Sequence, residues 1–376
     1  MQINDLLRVA VESKASDLHL KAGNHPVVRI DGELVFLEQY PLLTGDATTE
    51  MALSLMNPRQ KERFKEELGV DLSYAVPDLG RFRCNAFYQR GTVSIVSRVI
   101  HTEVPGIDDL SLPEVVKTIA DEPRGLVLCT GTTGSGKSTT LAAMIDYINR
   151  RRAEHIVTVE DPIEFVHTDR KAVINQREID VDAISFGHAL RSAMRQDPDI
   201  ILVGEMRDPD TIETALLAAE TGHLVLSTLH TLDAAETVHR IVTMFPIEQH
   251  QQIRIQLAQV LRAVISMRLI PRANGKGRVP AVEIMRATPY IRECVENPGK
   301  TKFIRDQINR GTSQYQMQTF DQSLHQLYED DYITLEEALR RASNADEFRL
   351  RLQGVQSTAD LALEEMEDTL GDIETI

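Results

Sequence analysis

A glycine-rich stretch that ends in a lysine carries the clearest chemistry in this sequence. It reads GTTGSGKST from Gly131 to Thr139, follows a short apolar run and fits the spacing G-x-x-x-x-G-K-[ST]. Glycines let the backbone curl so that several N–H groups converge on one anion, and a helix that begins at the lysine adds its positive dipole end. The pattern predicts a phosphate-binding P-loop whose binding residues are Gly131, Thr132, Thr133, Gly134, Ser135, Gly136, Lys137, Ser138 and Thr139.

Two residues of this loop are expected to make the most direct contacts. Lys137 would reach the β- and γ-phosphates, and the Ser138 hydroxyl would coordinate Mg²⁺. A chance glycine-rich turn is the alternative, but the strand-like run before the loop and the helical pattern after it supply the context that the motif requires. The sequence therefore predicts a site for ATP and Mg²⁺.

Acidic residues follow two later apolar runs. Glu160-Asp161-Pro-Ile-Glu164 comes after one of them, and Gly204-Glu205 comes after the next. In a parallel sheet ligands bind beyond the carboxyl ends of the strands, so these carboxylates should lie near the P-loop. Glu160 and Glu164 could hold Mg²⁺ through water or orient an attacking water. Glu205 resembles the acid of a Walker B segment, with Gly204 where an aspartate often stands. Solvated surface carboxylates are the alternative.

Histidine and arginine residues lie beside the same segments. His230 follows a fourth apolar run and could sense the γ-phosphate, whereas His223 precedes that run and is expected to be structural. Arg195 ends a predicted helix at 184–195, and Arg207 follows Glu205 closely. These arginines are either solvated or close to a triphosphate of the same or a neighbouring subunit, where an arginine can contribute about 10³–10⁵ in rate.

A second pair of arginines lies in an alternating segment near the N-terminus. Residues 80–98 read as two strands joined around Arg90-Gly91, and a register that places Gln89 opposite Thr92 also places Arg83 opposite Arg98. Like charges directly opposite each other destabilise a sheet and are tolerated more readily when an anion lies between them. The two arginines therefore either bind phosphate, within a subunit or across to a neighbour, or are solvated.

The chain divides into segments of different pattern. We predict an α/β domain at 1–100, a linker at 101–113, an ATPase core at 114–285, a helical C-terminal portion at 286–353 and an acidic flexible tail at 354–376. Strands and helices alternate from residue 125, which favours a mainly parallel sheet. The predicted strands of the core are 126–129, 155–159, 199–203, 223–229, 267–270 and 279–284. Its longest predicted helix is 247–266.

Composition restricts the class of protein. The 376 residues carry a formal net charge of −16, which argues against a nucleic-acid partner. Three separated cysteines argue against a zinc site or a disulfide framework and favour a reducing cytoplasm. No apolar run approaches the ~20 residues of a membrane span.

Four motifs in order are similar to those of the secretion-superfamily hexameric ATPases, most closely the PilT/PilU group of type IV pilus retraction ATPases. They are the Walker A stretch GTTGSGKSTTLAAMIDYIN, the acidic box TVEDPIEF, the Walker B stretch RQDPDIILVGEMRD and the histidine box GHLVLSTLHT. GRFRCNAFYQRG matches the family's N-terminal arginine hairpin. The resemblance covers about residues 1–350, and the chain lacks the four-cysteine zinc module of many assembly members.

The resemblance implies more than the spacing does. It implies a PAS-like N-terminal domain, a RecA-like ATPase domain and a homo-hexamer at the cytoplasmic face of the inner membrane, where it acts on the pilus platform protein. Arg83, Arg98, Arg195 and Arg207 match arginines that reach the nucleotide. Glu164 matches a carboxylate that handles the attacking water, and Glu205 matches the acid near Mg²⁺.

The functional hypothesis is a Mg²⁺-dependent ATP hydrolase that powers pilus retraction and twitching motility. The alternatives are a PilU-like accessory subunit that assists a paralogous retraction ATPase, a pilus-assembly or secretion ATPase, and a DNA-translocating ring, against which the acidic charge argues.

Overall fold

The computed structural model describes residues 2–100 and 104–352, so the predicted tail at 354–376 lies outside the described residues. The chain forms two compact units. The first comprises the described residues up to Val104 together with Pro162–His167, and the second comprises the rest. Among the described residues, no helix combines the length and the apolar character needed to cross a membrane.

The first unit is an antiparallel sheet covered by helices. In chain order its elements are α1 (Ile3–Glu12), β1 (Asp17–Lys21), β2 (Val27–Ile30), β3 (Glu33–Phe36), α2 (Gly45–Leu55), α3 (Pro58–Glu67), β4 (Gly69–Val76), β5 (Gly80–Gln89) and β6 (Thr92–Ile100). The strand order is β3-β2-β1-β6-β5-β4. The helical spacing of Ile3, Leu6, Leu7 and Ala10 puts all four side chains in the core.

The predicted arginine hairpin is confirmed. β5 and β6 are antiparallel, Gln89 pairs with Thr92 across the turn, and Arg83 lies opposite Arg98. Arg90 has a φ of 47° and Gly91 a φ of 75°. The turn residues thus adopt the left-handed conformations that a two-residue hairpin loop requires.

The second unit is built on a sheet with a parallel centre. Its elements up to residue 286 are α4 (Val115–Ala120), β7 (Gly125–Thr130), α5 (Lys137–Arg151), β8 (His155–Glu160), β9 (Val173–Glu178), α6 (Phe186–Ala193), β10 (Ile200–Val203), α7 (Pro209–Glu220), β11 (Leu224–Leu229), α8 (Ala234–Thr243), α9 (His250–Val260), β12 (Leu261–Pro271) and β13 (Arg278–Arg286). The strand order is β13-β12-β7-β11-β10-β8-β9, and β13 alone is antiparallel to its neighbour. Helices cover this sheet, as predicted for an α/β fold of the RecA-like class.

Helices follow the sheet, as predicted for the C-terminal portion. They are α10 (Pro289–Glu296), α11 (Ile304–Arg310), α12 (Thr312–Tyr315), α13 (Phe320–Glu329), α14 (Leu335–Arg341) and α15 (Ala345–Leu352). Thr288 and Thr319 accept hydrogen bonds at the starts of α10 and α13, and Pro289 occupies the first turn of α10. The fold is therefore α/β, with a helical C-terminal portion.

Three predictions for the second unit were wrong. The helix predicted at 247–266 ends at Val260, and the chain continues as β12, which is longer than the strand predicted at 267–270. β9 was not predicted at all. The helix predicted at 184–195 is shorter, because Ser185 caps it at the start and it ends at Ala193.

Candidate nucleotide site

The predicted P-loop has the geometry of an anion cradle. It connects β7 to α5, and α5 begins at Lys137, as the sequence predicts. Gly131, Gly134 and Gly136 have φ values of 139°, 76° and 99°, a region that other residues rarely adopt. A side chain at position 131 would also collide with the carbonyl of Met267 at 2.5 Å. Glycine is therefore required at position 131 on two grounds.

The polar groups of the loop fit a phosphate ligand. Lys137 is 7% exposed, and its Nζ donates to the carbonyls of Gly131 at 2.9 Å and Thr132 at 3.0 Å. The ammonium group therefore lies over the loop. The Ser135 hydroxyl is buried without a hydrogen-bond partner among the described residues. Thr132, Thr133 and Gly134 are exposed at the tip of the loop, and Ser138 and Thr139 are partly buried in the first turn of α5.

β12 supports the loop from beneath. It pairs in parallel with β7, and the Thr130 hydroxyl donates to the Ser266 hydroxyl at 2.9 Å. The Thr140 hydroxyl contacts the sulfur of Met267 at 3.2 Å. Sequence reasoning missed these residues because it assigned the first half of β12 to a helix.

Three of the predicted site residues come together beyond β10. Glu205 is held at one carboxylate oxygen by Arg207 at 2.6 Å and faces His230 Nε2 at 3.5 Å with the other. The side chain of Glu205 is 12% exposed, whereas those of Arg207 and His230 are 70% and 49% exposed. His230 follows β11, which is parallel to β10. β7, which leads into the P-loop, is parallel to β11. These residues therefore share the sheet edge that carries the P-loop.

Glu160 ends β8 at the same edge. Its carboxylate accepts hydrogen bonds from the Thr158 hydroxyl at 2.7 Å and from Gln176 on β9 at 3.1 Å. Gly204 lies against this strand, and a side chain there would come within 3.2 Å of the Val159 carbonyl. The strands therefore approach closely at Gly204, so a larger residue there would require a small shift of the neighbouring strand.

Arg195 lies at the other end of α6. The start of this helix is at the P-loop edge, because its first residue, Phe186, lies beside Gly204: a Cβ on that glycine would be 3.6 Å from the phenyl ring. The helix then runs for eight residues, about 12 Å, towards the start of β10. Arg195 is exposed there and forms no side-chain ion pair within the described part of the chain. Within one chain Arg195 does not join the Glu205 group, and its predicted role remains a prediction.

The remaining predicted residues belong to the first unit. Arg83 is exposed, and Arg98, directly opposite, donates from Nε to Asp17 at 2.9 Å. Burial raises the pKa of Asp17, but hydrogen bonds from Ser16 and Arg98 outweigh it, so the net pKa is lowered. Asp17 therefore offsets part of the repulsion between the two arginines. Sequence reasoning missed this aspartate because the pairing of β1 with β6 joins residues 81 positions apart.

Glu164 lies in the segment Pro162–His167, which clusters with the first unit, although its neighbour Asp161 clusters with the second. The sequence prediction had placed this segment in the ATPase core. The acidic box therefore connects the two units along the chain. The predicted function of Glu164 in handling water remains a prediction.

The donor set fits Mg²⁺ better than a transition metal. The described residues contain no cluster of three histidine, cysteine, aspartate or glutamate side chains that could hold a metal by themselves. A hydroxyl at Ser138 with carboxylates at Glu160 and Glu205 offers the oxygen ligands that Mg²⁺ prefers when phosphates and water complete its shell. His223 is not part of this set, because its Nδ1 lies 2.8 Å from the Ala218 carbonyl at the far end of β11.

Comparison with known proteins agrees with this site. The family model described as "Type II/IV secretion system protein" matches residues 1–367. The type IV pilus retraction ATPase PilT of Pseudomonas aeruginosa is 47% identical, over 93% of this chain and 100% of its own length. The type IV pilus ATPase PilU of the same organism is 40% identical, over 96% of this chain and 94% of its own length.

Solved structures agree as well. A crystal structure of the pilus retraction motor PilT with bound ADP superposes with a TM-score of 0.85 and 45% identity, covering 92% of this chain and 98% of that chain. The ATPase DotB of Legionella pneumophila superposes with a TM-score of 0.78 and 28% identity, covering 94% of this chain and 96% of its own. The chain therefore belongs to the type II/IV secretion system protein family and, within it, to the pilus retraction ATPases.

Proposed function

We propose that this protein is a Mg²⁺-dependent ATP hydrolase that assembles into a homo-hexameric ring and powers the retraction of a type IV pilus. The observation that carries the proposal is the joint placement of the Lys137 loop and the Glu205 group at one sheet edge. A P-loop alone predicts binding of a nucleotide. A loop with a carboxylate, a histidine and an arginine beyond the neighbouring strands predicts hydrolysis as well.

The residues have distinct proposed tasks. Lys137 binds the β- and γ-phosphates, and the loop amides orient them. Mg²⁺, when bound at Ser138, neutralises charge on the phosphate oxygens. Glu205 is proposed as the acid near Mg²⁺, where it can also accept a proton from the attacking water, and His230 is proposed to contact the γ-phosphate end of the site. Arg83, Arg98, Arg195 and Arg207 are proposed to stabilise negative charge in the transition state. Glu164 is proposed to orient the attacking water, and Glu160 is proposed to hold Mg²⁺ through water.

The domain scheme and the site of action belong to the same proposal. We retain a PAS-like domain at 1–100, a linker at 101–113 and a helical portion at 286–353. We also retain the ATPase core at 114–285, except for Pro162–His167, which cluster with the first unit. We place the ring at the cytoplasmic face of the inner membrane, acting on the pilus platform protein. The name of the PilT relative, which describes a type IV pilus retraction ATPase, supports the pilus as the machine on which the ring acts.

Phosphate release by the purified protein tests the enzymatic part. We expect Mg²⁺-dependent release by the wild-type chain and none above background from Lys137→Ala, because the variant loses the cation that holds the β- and γ-phosphates. Equal release by the two proteins would reject an autonomous ATPase. A deletion strain tests the biological part: excess surface pili with lost twitching supports retraction, whereas cells without pili support assembly.

One specific observation favours a second candidate. A PilU relative is 40% identical over 96% of this chain and 94% of its own length, so the chain also resembles this type of pilus ATPase over nearly its whole length. A PilU-like accessory subunit would bind ATP yet hydrolyse little of it without a paralogous retraction ATPase. Nucleotide binding without hydrolysis by the purified chain, and hydrolysis after a paralogue is added, would favour this second function.

A further inference from the structure

Four arginines lie together at the end of the second unit's sheet where β7 and β12 begin. We call Arg124, Arg262, Arg286 and Arg292 the arginine surface. Arg124 directly precedes β7, Arg262 is the second residue of β12, Arg286 ends β13 and Arg292 lies in α10. The Arg262 Nε donates to the backbone carbonyl of Arg124 at 3.1 Å, which joins the first two members. The Ala287 N–H donates to the Arg262 carbonyl at 2.9 Å, which brings the end of β13 beside them.

The backbone is shaped to hold Arg262 in this position. Gly125 has a φ of 115°, and a Cβ there would lie 2.7 Å from Cγ and 2.9 Å from Nε of Arg262. The arginine therefore fills the space that the glycine leaves. Its Nη1 also donates to the carbonyls of Gln259 at 3.0 Å and Leu261 at 3.2 Å. The guanidinium is fixed by backbone acceptors and has no carboxylate within ion-pair distance among the described residues.

Acidic residues compensate little of this charge. Glu122 pairs with Arg286 at 3.5 Å, and Glu293 on α10 is occupied by Lys300. Arg124 and Arg292 are exposed, and their side chains form no ion pair or hydrogen bond within residues 2–100 and 104–352. Burial lowers the pKa of Arg262, and the positive charge of Arg292 lowers it further, which agrees with their proximity. The surface is strongly basic in a chain whose formal net charge is −16.

The arginine surface is separate from the nucleotide site. The P-loop follows the carboxyl end of β7, whereas the arginines surround its beginning. The six residues of this strand span about 20 Å. The phosphates of a nucleotide in the P-loop of the same chain are therefore too far away to be the ligand of these arginines.

We propose that the arginine surface binds the acidic segment 357–376 of the same chain. This segment contains seven acidic residues and no basic residue, namely Asp360, Glu364, Glu365, Glu367, Asp368, Asp372 and Glu374. It is the strongest local negative charge in the sequence, and the arginine surface is its electrostatic complement. The inference does not depend on the proposed hydrolysis of ATP, because neither the arginines nor the segment belongs to the nucleotide site.

The length of the chain permits this contact. The last described residue is Leu352, in the helix α15 whose Phe348 packs in one cluster with Ile270 of β12. Ile270 and Arg262 are eight positions apart on that strand, which corresponds to about 26 Å. The 24 residues from 353 to 376 can extend to about 80 Å. Tethering through so short a connection gives the segment a local concentration on the order of millimolar, so weak ion pairs are sufficient.

Cross-linking in the full-length protein tests the proposal. The double variant Pro123→Cys, Met366→Cys places one thiol within the arginine surface and one within the acidic run, and the native cysteines Cys84, Cys129 and Cys294 are buried. We expect a short bis-maleimide to join the two thiols within one chain, detected as a linked tryptic peptide in the monomer band. Raising NaCl from 0.1 M to 1 M shortens the Debye length from about 10 Å to about 3 Å and should suppress the link.

Charge variants supply the matched controls. Arg124→Glu with Arg292→Glu, added to the cysteine pair, should reduce the yield roughly fivefold or more, because two attractions become repulsions. Arg278→Glu changes the same charge at the opposite, exposed end of β13 and should leave the yield unchanged. A yield that is insensitive to both salt and the double reversal would overturn the proposal. Links found only between two chains would also overturn it, since they would assign the segment to a neighbouring copy.

Discussion

At the scale of single residues, Glu205 differs from an ordinary surface carboxylate. Its side chain is only 12% exposed, and two cationic or ionisable partners, Arg207 and His230, face its two oxygens. A carboxylate so held can orient a water or receive its proton without first losing side-chain freedom. The surrounding residues therefore favour a catalytic role over a structural one.

Replacement of Glu205 should separate binding from hydrolysis. Glu205→Gln keeps the size and one acceptor oxygen of the side chain but removes its charge and most of its basicity. We expect kcat for phosphate release to fall by about 10²-fold or more, with little change in the Kd of a fluorescent ATP analogue. Glu213→Gln, on the neighbouring helix α7, is a control for the loss of one carboxylate. A loss of nucleotide binding in Glu205→Gln would contradict the proposed role.

Arg83 and Arg98 should differ in their effects on stability, although they lie opposite each other. Arg98→Ala removes a hydrogen bond to Asp17, which is 6% exposed, and should lower the free energy of unfolding by about 1–2 kcal/mol. Arg83→Ala removes an exposed side chain and should change it by less than about 0.5 kcal/mol. Urea denaturation measures both, and Arg83→Ala should still impair phosphate release.

The pH dependence of the Arg98→Ala effect has a definite sign. The pKa of Asp17 is lowered in the folded state, so its ionised form stabilises the fold above the ordinary pKa of 3.8, and this contribution is lost as pH falls through the folded pKa. The difference between wild type and Arg98→Ala should therefore be largest near neutral pH and shrink in acid. A difference that grows in acid would contradict the ion pair.

At the scale of elements, the sequence predicted what local patterns determine. The P-loop, the start of α5 at Lys137 and the hairpin register of Arg83 and Arg98 all depend on nearby residues, and all were confirmed. The boundary between α9 and β12 was not predictable in this way. No glycine or proline marks the boundary at Val260 and Leu261. β12 is buried on both faces, so its sequence does not alternate between apolar and polar residues. Pairing with β7 and β13 determines its conformation.

The same reasoning applies to the candidate site. Glu160, Glu205 and His230 could be placed at one edge from strand order alone, because parallel strands end together. Asp17 and β9 could not be predicted, since each depends on a strand pairing that no local signal reveals. β9 is also an edge strand of mostly polar residues, with Val173 exposed. Long-range pairing, rather than residue propensity, accounts for what was missed.

The contact between Glu283 of β13 and the start of α8 should make the stability of the protein depend on pH. Glu283 is 5% exposed and accepts a hydrogen bond from the Ala234 N–H at the start of α8. Burial raises the pKa of Glu283 to about 7, although this hydrogen bond opposes the rise. The unfolded chain releases the proton first, near pH 4.5, so the contribution of Glu283 to stability falls as pH rises from there towards 7.

Glu283→Gln should remove this loss, because the amide can accept the same hydrogen bond without carrying a charge. Relative to wild type, we expect the variant to gain on the order of 3 kcal/mol in the free energy of unfolding between pH 4.5 and pH 8. Urea denaturation at several pH values measures this difference. Glu248→Gln, at an exposed position, is the control. A constant difference between Glu283→Gln and wild type across this range would show that Glu283 remains ionised in the folded protein.

At the scale of the whole molecule, the candidate residues are divided between two units of the chain. Lys137, Glu205 and His230 belong to the second unit, whereas Arg83 and Glu164 belong to the first. If all of them act on one nucleotide, hydrolysis has to be coupled to the arrangement of the units and, in a ring, to that of neighbouring chains.

Hydrolysis should therefore depend on assembly. Rings dissociate on dilution by mass action. We therefore expect phosphate release per chain to fall in parallel with the fraction of chains that mass photometry finds in rings. Lys137→Ala should assemble as the wild type does at each concentration if assembly surfaces lie away from the P-loop, so it controls for loss of protein on surfaces. Full activity at concentrations where only monomers are present would show that one chain holds a complete site. In that case Arg83 and Arg98 would have to reach the nucleotide of their own chain, and the proposed ring would serve only to transmit force.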